Sequence, residues 1–184
     1  SLLAHISICK YVDALPLYRQ SKIFKRANIH ISRATMATWM VTLGKNLQPL
    51  INLLREYLLS GAIIHCDETT FQVLKEPDRD PSSKSYMWVQ TTGKIEQPIV
   101  IFDYFPSRSS QVPLKLFEGY SGYLQVDGYA GYNAVSREYD VKLVGCWNHA
   151  RRKFMNVIKA MEKKSKGKAK PGKATKGLNY IKRL

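Results

Sequence analysis

A chain of 184 residues is long enough to bury one full hydrophobic core and a small accessory unit. Its 45% hydrophobic content is typical of a globular protein, and 29 Lys and Arg against 14 Asp and Glu give a formal charge of +15, which favours a polyanionic partner. Three cysteines are too few and of the wrong parity for a disulfide framework. Without a signal peptide or an apolar run near the roughly 20 residues of a membrane span, the sequence predicts a soluble intracellular protein.

The positive charge is concentrated at the C-terminal end. Residues 151–184 hold 13 basic residues and one acidic residue, so +12 of the +15 lies there. The Lys-rich stretch 163–177 cannot bury apolar area, and we expect a disordered linker that is either simply solvated or a phosphate-binding strap. Residues 178–184 are predicted to begin a further helix. We expect a chain truncated at both ends, since Ser1 opens directly on an apolar segment.

Residues 1–60 are predicted to be helical. Apolar spacing predicts one helix over 11–26 and a second that begins after Ser32 as its N-cap. A helical pattern resumes after a break, where Pro49 makes either a kink or a new start, and Gly61 closes the last helix.

The order helix, short turn, helix is also that of a DNA-reading motif. In that interpretation Arg33, Thr35 and Thr38 face the DNA groove, while Met36 and Trp39 anchor the helix to its neighbour. A plain helical hairpin explains the same pattern equally well.

From residue 61 to 162 the pattern predicts a mixed sheet. The predicted strands cover 63–66 with an extension to 74, then 86–92, 98–105, 123–127 and 141–146, and the predicted helices cover 111–118, 130–139 and 147–163. Turns join the first three strands, which favours an antiparallel meander, and helices precede the last two. The fold class is therefore α/β, with the five-stranded mixed sheet and flanking helices of a ribonuclease H-like domain.

Two acids occupy matching positions in this predicted sheet. Asp67 follows the apolar run of the first strand, and Asp127 ends the fourth strand before Gly128. On adjacent strands, about 4.8 Å apart, two such side chains could reach one divalent cation. Bare carboxylates that close repel each other unless a cation lies between them, so the pair implies Mg²⁺ or Mn²⁺.

The neighbours of the two acids have more ordinary interpretations. Glu68 follows Asp67 and should point to the other side of the strand, as a supporting or solvent-facing group. We expect His65 to be a packed neighbour. Tyr129 and Tyr132 could stack on a base, although core packing is the commoner fate of tyrosines in a short helix.

Four basic residues are candidates for contact with DNA phosphates. Arg108 follows one predicted strand. Arg151 and Arg152 come after a later predicted strand, and Lys153 is the next residue in that second place. A guanidinium binds phosphate through two parallel hydrogen bonds, which makes the arginines the stronger candidates.

Several strings resemble the transposases of the insertion sequence 66 family, which are DDE-type enzymes of bacterial mobile elements. These strings are KY at 10–11, LPLYRQ at 15–20, TMATW at 35–39, CDET at 66–69, FDY at 102–104, SRS at 107–109, LQVDGYAGYN at 124–133 and CWNHARRKF at 146–154. They cover nearly the whole chain in order.

The resemblance implies a ribonuclease H-like catalytic core in which Asp67 and Asp127 are the first two acids. The third acid of the family is a Glu on a helix beyond the end of this chain, so we expect weak metal binding and little cleavage. The family's zinc-binding segment is also absent, and no zinc is expected. The Cys146-x-x-His149 string resembles one found in several DDE families, and its role cannot be derived from the sequence.

The main functional hypothesis is a truncated transposase core that cleaves and transfers DNA strands with Mg²⁺ or Mn²⁺. Its expected partners are the ends of the element, the target DNA and other copies of the chain, in the bacterial cytoplasm at the nucleoid. One alternative is a catalytically dead DNA-binding relic or regulator. Another is a stand-alone nuclease, which requires a third carboxylate such as Glu138 or Asp103 near the pair.

Overall fold

The computed structural model describes residues 1–93, 98–165 and 172–183. The helices are α1 (Leu2–Tyr11), α2 (Leu17–Arg26), α3 (Arg33–Leu59), α4 (Gln111–Leu116), α5 (Asn133–Glu138), α6 (Trp147–Ser165) and α7 (Lys173–Ile181). The strands are β1 (Ile63–Gln72), β2 (Lys84–Thr92), β3 (Val100–Phe105), β4 (Gly122–Val126) and β5 (Val141–Gly145), and a 3-10 turn covers Ala130–Tyr132.

The chain forms two compact units, Ser1–Leu53 and Leu54–Leu184, and α3 contributes residues to both. The predicted boundary between residues 60 and 61 follows the end of α3 and stays a prediction. The last turns of α3 belong to the second unit because Leu58 is fully buried and Leu54 packs in the core that covers the sheet.

The first unit is built on a small cluster of buried side chains from α1 and α3. Ile6 and Met36 are fully buried and Met40 nearly so. The hydroxyl of Ser32 accepts a hydrogen bond from the backbone N–H of Thr35 at 3.0 Å, which satisfies one of the free donors of the first turn of α3. The predicted N-cap and the anchoring methionine positions are thus present in the structure.

Helix α3 runs without interruption from Arg33 to Leu59, with Pro49 inside it. The predicted break at Gly44 and the alternative of a new helix at Pro49 are wrong, because the helix is continuous there, whereas the alternative of a kink at Pro49 stays a prediction. Proline lacks a backbone N–H and removes one helical hydrogen bond, but burial of apolar side chains at both ends of the helix outweighs this local cost.

The second unit contains a five-stranded sheet in the order β3-β2-β1-β4-β5. Strands β1, β2 and β3 pair antiparallel, whereas β4 pairs parallel to β1 and β5 parallel to β4. This confirms the predicted meander followed by two helix-connected strands, which is a ribonuclease H-like layout.

One face of the sheet carries the core. Ile64, Trp88 and Leu124 on this face are fully buried beneath the end of α3 and the helices that follow β3 and β4. The opposite face carries His65 and Asp67, which alternate with the core residues of β1. The sheet therefore has a packed face and a face on which polar chemistry is accessible.

The C-terminal segment differs from its prediction. Helix α6 reaches Ser165 and α7 begins at Lys173, within the stretch predicted as a linker and before the helix predicted at 178–184. Helix α7 packs on α6, where a Cβ on Gly177 would lie 2.8 Å from a ring carbon of Phe154, so a larger residue at position 177 would require the Phe154 ring to shift.

Two expectations about the whole chain have different outcomes. The predicted disorder at 166–171 lies outside the described residues and stays a prediction. No helix in the described ranges is long and apolar enough to cross a membrane.

We expect Leu124→Ala to lower the free energy of unfolding by about 2–5 kcal/mol, because it leaves a cavity under the central parallel strands. Urea unfolding followed by circular dichroism measures this change. Val100→Ala is the matched control, since Val100 is 49% exposed on β3 and its truncation should cost about 1 kcal/mol or less. Equal losses for the two variants would contradict the placement of the core.

Candidate active site

The two predicted acids lie at the same level of neighbouring strands. Parallel pairing aligns His65 on β1 with Gln125 on β4, so Asp67 and Asp127 each stand two residues further along. Asp67 lies within β1, whereas Asp127 follows directly after β4, where Gly128 adopts a φ of 89° and turns the chain. The structure thus brings both acids to one end of the β1–β4 pair.

The two carboxylates have different neighbours. The side chain of Asp67 is 56% exposed, and its Oδ2 lies 3.4 Å from Nε2 of His149. The side chain of Asp127 is 25% exposed, and its Oδ2 lies 3.8 Å from a guanidinium nitrogen of Arg108. Its Oδ1 accepts a hydrogen bond from the backbone N–H of Tyr129 at 2.8 Å. Asp127 is therefore fixed by the turn that follows it, while Asp67 is open to solvent.

The Cys-x-x-His string lies beside Asp67. His149 is in the first turn of α6, and Cys146 is the residue just before that helix. Together with half-buried His65 and with Asp67 they line a pocket of about 170 Å³. The sequence alone did not predict a role for this Cys-x-x-His string. The structure places its histidine next to Asp67.

The start of α6 perturbs the Cys146 thiol. Burial opposes ionisation, but other groups outweigh it and lower the pKa of Cys146. The pKa is lowered by the polar groups near the sulfur, which are the backbone and side chain of His149, the side chain of Gln125 and the backbone of Asn148.

The second thiol near the acids, that of Cys66, behaves in the opposite way. It lies on the core face of β1 and is 4% exposed. Burial, with the nearby carboxylates of Glu68 and Asp67, raises the pKa of this thiol to about 12. Cys66 is therefore a packed, protonated residue at neutral pH.

Glu68 points away from Asp67, as predicted from strand alternation, but it does not face solvent. Its side chain is 1% exposed. Oε1 accepts a hydrogen bond from Nε of Arg108 at 2.7 Å and lies 2.5 Å from Nη2 of the same guanidinium, and Oε2 accepts a hydrogen bond from the hydroxyl of Tyr132 at 2.6 Å. No local pattern indicates this partnership, because the three residues are far apart in the chain.

Arg108, a predicted DNA contact, is bound mainly by the protein itself. Its guanidinium lies 3.9 Å from the centre of the Tyr129 ring, and the Tyr129 hydroxyl donates a hydrogen bond to its carbonyl. Burial alone would lower the pKa of Arg108, but the hydrogen bond and charge of Glu68, with Asp127, raise it. Tyr132 is fully buried and Tyr129 half-buried, so packing, not base stacking, describes both tyrosines here.

The other predicted DNA contacts are exposed and lie on two helices in different units. Arg151, Arg152 and Lys153 follow His149 on α6 in the second unit, and within the described ranges none of the three forms an ion pair with either aspartate. Arg33 and Thr35 are exposed in the first turn of α3, which belongs to the first unit.

The two aspartates are the type of ligand that a hard divalent cation binds, since Mg²⁺ prefers carboxylate oxygens and completes its coordination shell with water. Within residues 1–93, 98–165 and 172–183, however, no group of three or more His, Cys, Asp and Glu side chains is arranged to hold a metal ion, and this includes Glu138. Asp103 is not available as a third acid, because it faces the core side and binds Arg55 at 2.8 Å.

A mixed sheet of this order, with two acids at the same level of its neighbouring strands β1 and β4, places the protein in the ribonuclease H-like class. Comparison with known families is more specific. The profile described as "Transposase IS66 family" matches residues 1–184, and the chain belongs to that family.

Individual relatives come from Sinorhizobium fredii. The uncharacterized protein y4qI is 35% identical over 168 residues, which is 85% of this chain and 31% of y4qI. The uncharacterized protein y4jD is 32% identical over 170 residues, covering 86% of this chain and 33% of y4jD. The chain thus spans about a third of the length of the curated relatives it matches.

Among solved structures, the chain is similar to part of a simian T-cell lymphotropic virus intasome in complex with a PP2A regulatory subunit. The identity is 12%, the TM-score is 0.37, and the match covers 67% of this chain and 48% of the other.

We expect iodoacetamide at pH 7 to alkylate Cys146 at least tenfold faster than Cys66 in the folded protein, because only the thiolate reacts and burial suppresses it at Cys66. Peptide mapping by mass spectrometry gives both rates. In urea the two rates should converge. Equal rates in the native protein would contradict the environments described for these thiols.

Proposed function

We propose that this chain is part of the catalytic core of a DNA transposase, in which Asp67 and Asp127 hold a divalent cation for phosphodiester cleavage and strand transfer. The observation that carries the proposal is the parallel register of β1 and β4, which places the two acids at one level of the sheet. A bound Mg²⁺ or Mn²⁺ would activate the attacking oxygen and neutralise charge on the phosphodiester.

The residues around the acids have separate tasks in this proposal. The backbone N–H of Tyr129 fixes one oxygen of Asp127, and Nε2 of His149 orients the carboxylate of Asp67. Asp67 is exposed enough to meet a phosphate group from solvent.

Helix α6 would carry the DNA strand toward the acids. The exposed Arg151 and Arg152 lie within one turn of His149 on α6, and Nε2 of His149 is 3.4 Å from the carboxylate of Asp67. Their guanidinium groups would bind the phosphates of the same DNA strand through paired hydrogen bonds.

A third metal ligand would come from another part of the full-length protein, since the described residues supply two aspartates and no third acid beside them. The DNA partners in this proposal are the element ends and the target, and the chain would work as a homo-oligomer on DNA in the bacterial cytoplasm. The charge of +15 suits such a polyanionic partner.

We expect calorimetry to detect weak Mn²⁺ binding by this chain, and Asp67→Asn or Asp127→Asn to weaken it at least tenfold by removing one of two charged ligands. Asp140→Asn is the matched control, because Asp140 is an exposed acid before β5, at the opposite end of the parallel strands. Its Mn²⁺ affinity should equal that of the wild type. If neither site variant differs from this control, the two acids do not form a metal site.

A second candidate function is that of a DNA-binding module whose acids bind no metal. The exposed basic side chains of Arg151, Arg152 and Lys153 favour it, since their affinity for phosphate does not depend on the aspartates. In that case the chain would still bind DNA, while Mn²⁺ binding would be absent or independent of Asp67 and Asp127. The calorimetric experiment separates the two functions.

We expect the double variant Arg151→Ala, Arg152→Ala to bind duplex DNA more weakly than the wild type and with a less steep dependence on salt, by about 0.9 in log–log slope for each phosphate that is no longer neutralised. Fluorescence anisotropy at several salt concentrations measures both quantities. Lys115→Ala is the control, because Lys115 is an exposed base on α4, which lies on the other face of the sheet. Because the control removes one charge and the double variant removes two, a slope reduction in Lys115→Ala that is half that of the double variant would show that net charge alone governs binding.

A further inference from the structure

Directly behind the two acids lies a buried ion pair that their proposed chemistry does not use. Glu68 is the residue after Asp67, yet its side chain is 1% exposed while that of Asp67 is 56% exposed. A buried carboxylate is costly unless charges and hydrogen bonds compensate it. Both oxygens of Glu68 are compensated, one by Arg108 and the other by the hydroxyl of Tyr132.

Arg108 connects this buried carboxylate to Asp127. One guanidinium nitrogen, Nη2, lies 2.5 Å from Oε1 of Glu68 and 3.8 Å from Oδ2 of Asp127. The guanidinium also rests on the ring of Tyr129 at 3.9 Å, and Tyr129 donates its backbone N–H to the other oxygen of Asp127. One oxygen of Asp127 thus faces Arg108, which binds Glu68. The other oxygen faces the backbone of Tyr129, whose ring lies against Arg108.

We propose that Glu68 is a positioning residue that orients Asp127 through Arg108 and so sets the affinity of the site for a divalent cation. The inference rests on the proposed function, since it takes Asp127 as a metal ligand. Tyr132 supports the same arrangement by fixing Oε2 of Glu68 from the helix layer. Outer groups of this kind typically change metal affinity 10- to 100-fold when they are removed.

This arrangement also reassigns Arg108. With its donors directed at Glu68 and Asp127 and its face against Tyr129, the guanidinium acts first as an internal clamp. We expect Arg108→Ala to change Mn²⁺ affinity more than DNA affinity, which is the reverse of the expectation for Arg151→Ala, Arg152→Ala. Calorimetry and fluorescence anisotropy on the same preparations give both values.

The chain contains a matched control for Glu68. Glu76 has partners of the same kinds, an arginine at 2.8 Å (Arg79) and a tyrosine hydroxyl (Tyr104), together with the hydroxyl of Ser85, and its side chain is 15% exposed. None of its partners contacts either aspartate in the described part of the chain. Glu76→Gln therefore removes a comparable ion pair without touching the proposed clamp.

The test is Mn²⁺ calorimetry on the full chain with Glu68→Gln, Glu76→Gln, Arg108→Ala and the double variant Glu68→Gln, Arg108→Ala. We expect Glu68→Gln to weaken Mn²⁺ binding by about tenfold or more and Glu76→Gln to leave it unchanged. Because Glu68 acts through Arg108, the double variant should bind no more weakly than Arg108→Ala. Additive losses, or wild-type affinity in Glu68→Gln, would overturn the inference.

Two further measurements keep the test decisive. Circular dichroism establishes whether Glu68→Gln is folded. If it is not, Arg108→Lys carries the test, because it keeps the charge of a 39% exposed side chain but loses the guanidinium that contacts Glu68 through both Nε and Nη2. Wild-type affinity in Arg108→Lys would then overturn the inference. If Mn²⁺ binding by the wild type does not depend on Asp67 and Asp127, the proposed function fails instead, which the aspartate variants report separately.

Discussion

The parallel pairing of β1 with β4 is the constraint on which the rest of this structure depends. These two strands are far apart in sequence, and their register alone decides which residues share a level of the sheet. A slip of one residue would move Asp127 out of line with Asp67 and reverse the face of every β4 side chain. Ile64 and Leu124 are partners in this register, and they oppose such a slip because both side chains are fully buried in the core.

Side chains alternate along β1, so adjacent residues lie on opposite faces of the sheet. Asp67 lies on the open face, whereas Glu68 lies on the core face opposite fully buried Trp88. One short segment thus presents a solvent-accessible carboxylate and a buried one. The buried carboxylate binds Arg108 and Tyr132, so the layer of turns and helices on the core face is tied to the strand that carries the first acid.

The core face holds a second charged contact with a different consequence. Arg55, near the end of α3, binds both oxygens of Asp103 at 2.8 and 2.9 Å and also donates to Gln90. This contact attaches the end of α3 to β2 and β3, and it removes Asp103 from any role beside Asp67. This ion pair on the packed face therefore serves the architecture of the second unit.

The amino-acid sequence by itself determined the local features. Its apolar periods located all five strands, and its strings of residues were specific enough to indicate the family, because both signals depend on residue types and not on tertiary contacts. The role predicted for Asp67 and Asp127 stays a prediction, although the structure does place the two residues at one level of the sheet. Local signals failed where packing outweighed them, as in the uninterrupted α3 through Pro49 and in α7, which begins inside a Lys-rich stretch. Only the tertiary structure decided that Arg108 binds Glu68 and that His149 meets Asp67, because such contacts join side chains 40 and 82 residues apart, and chain closure over those distances leaves no periodic trace in the sequence.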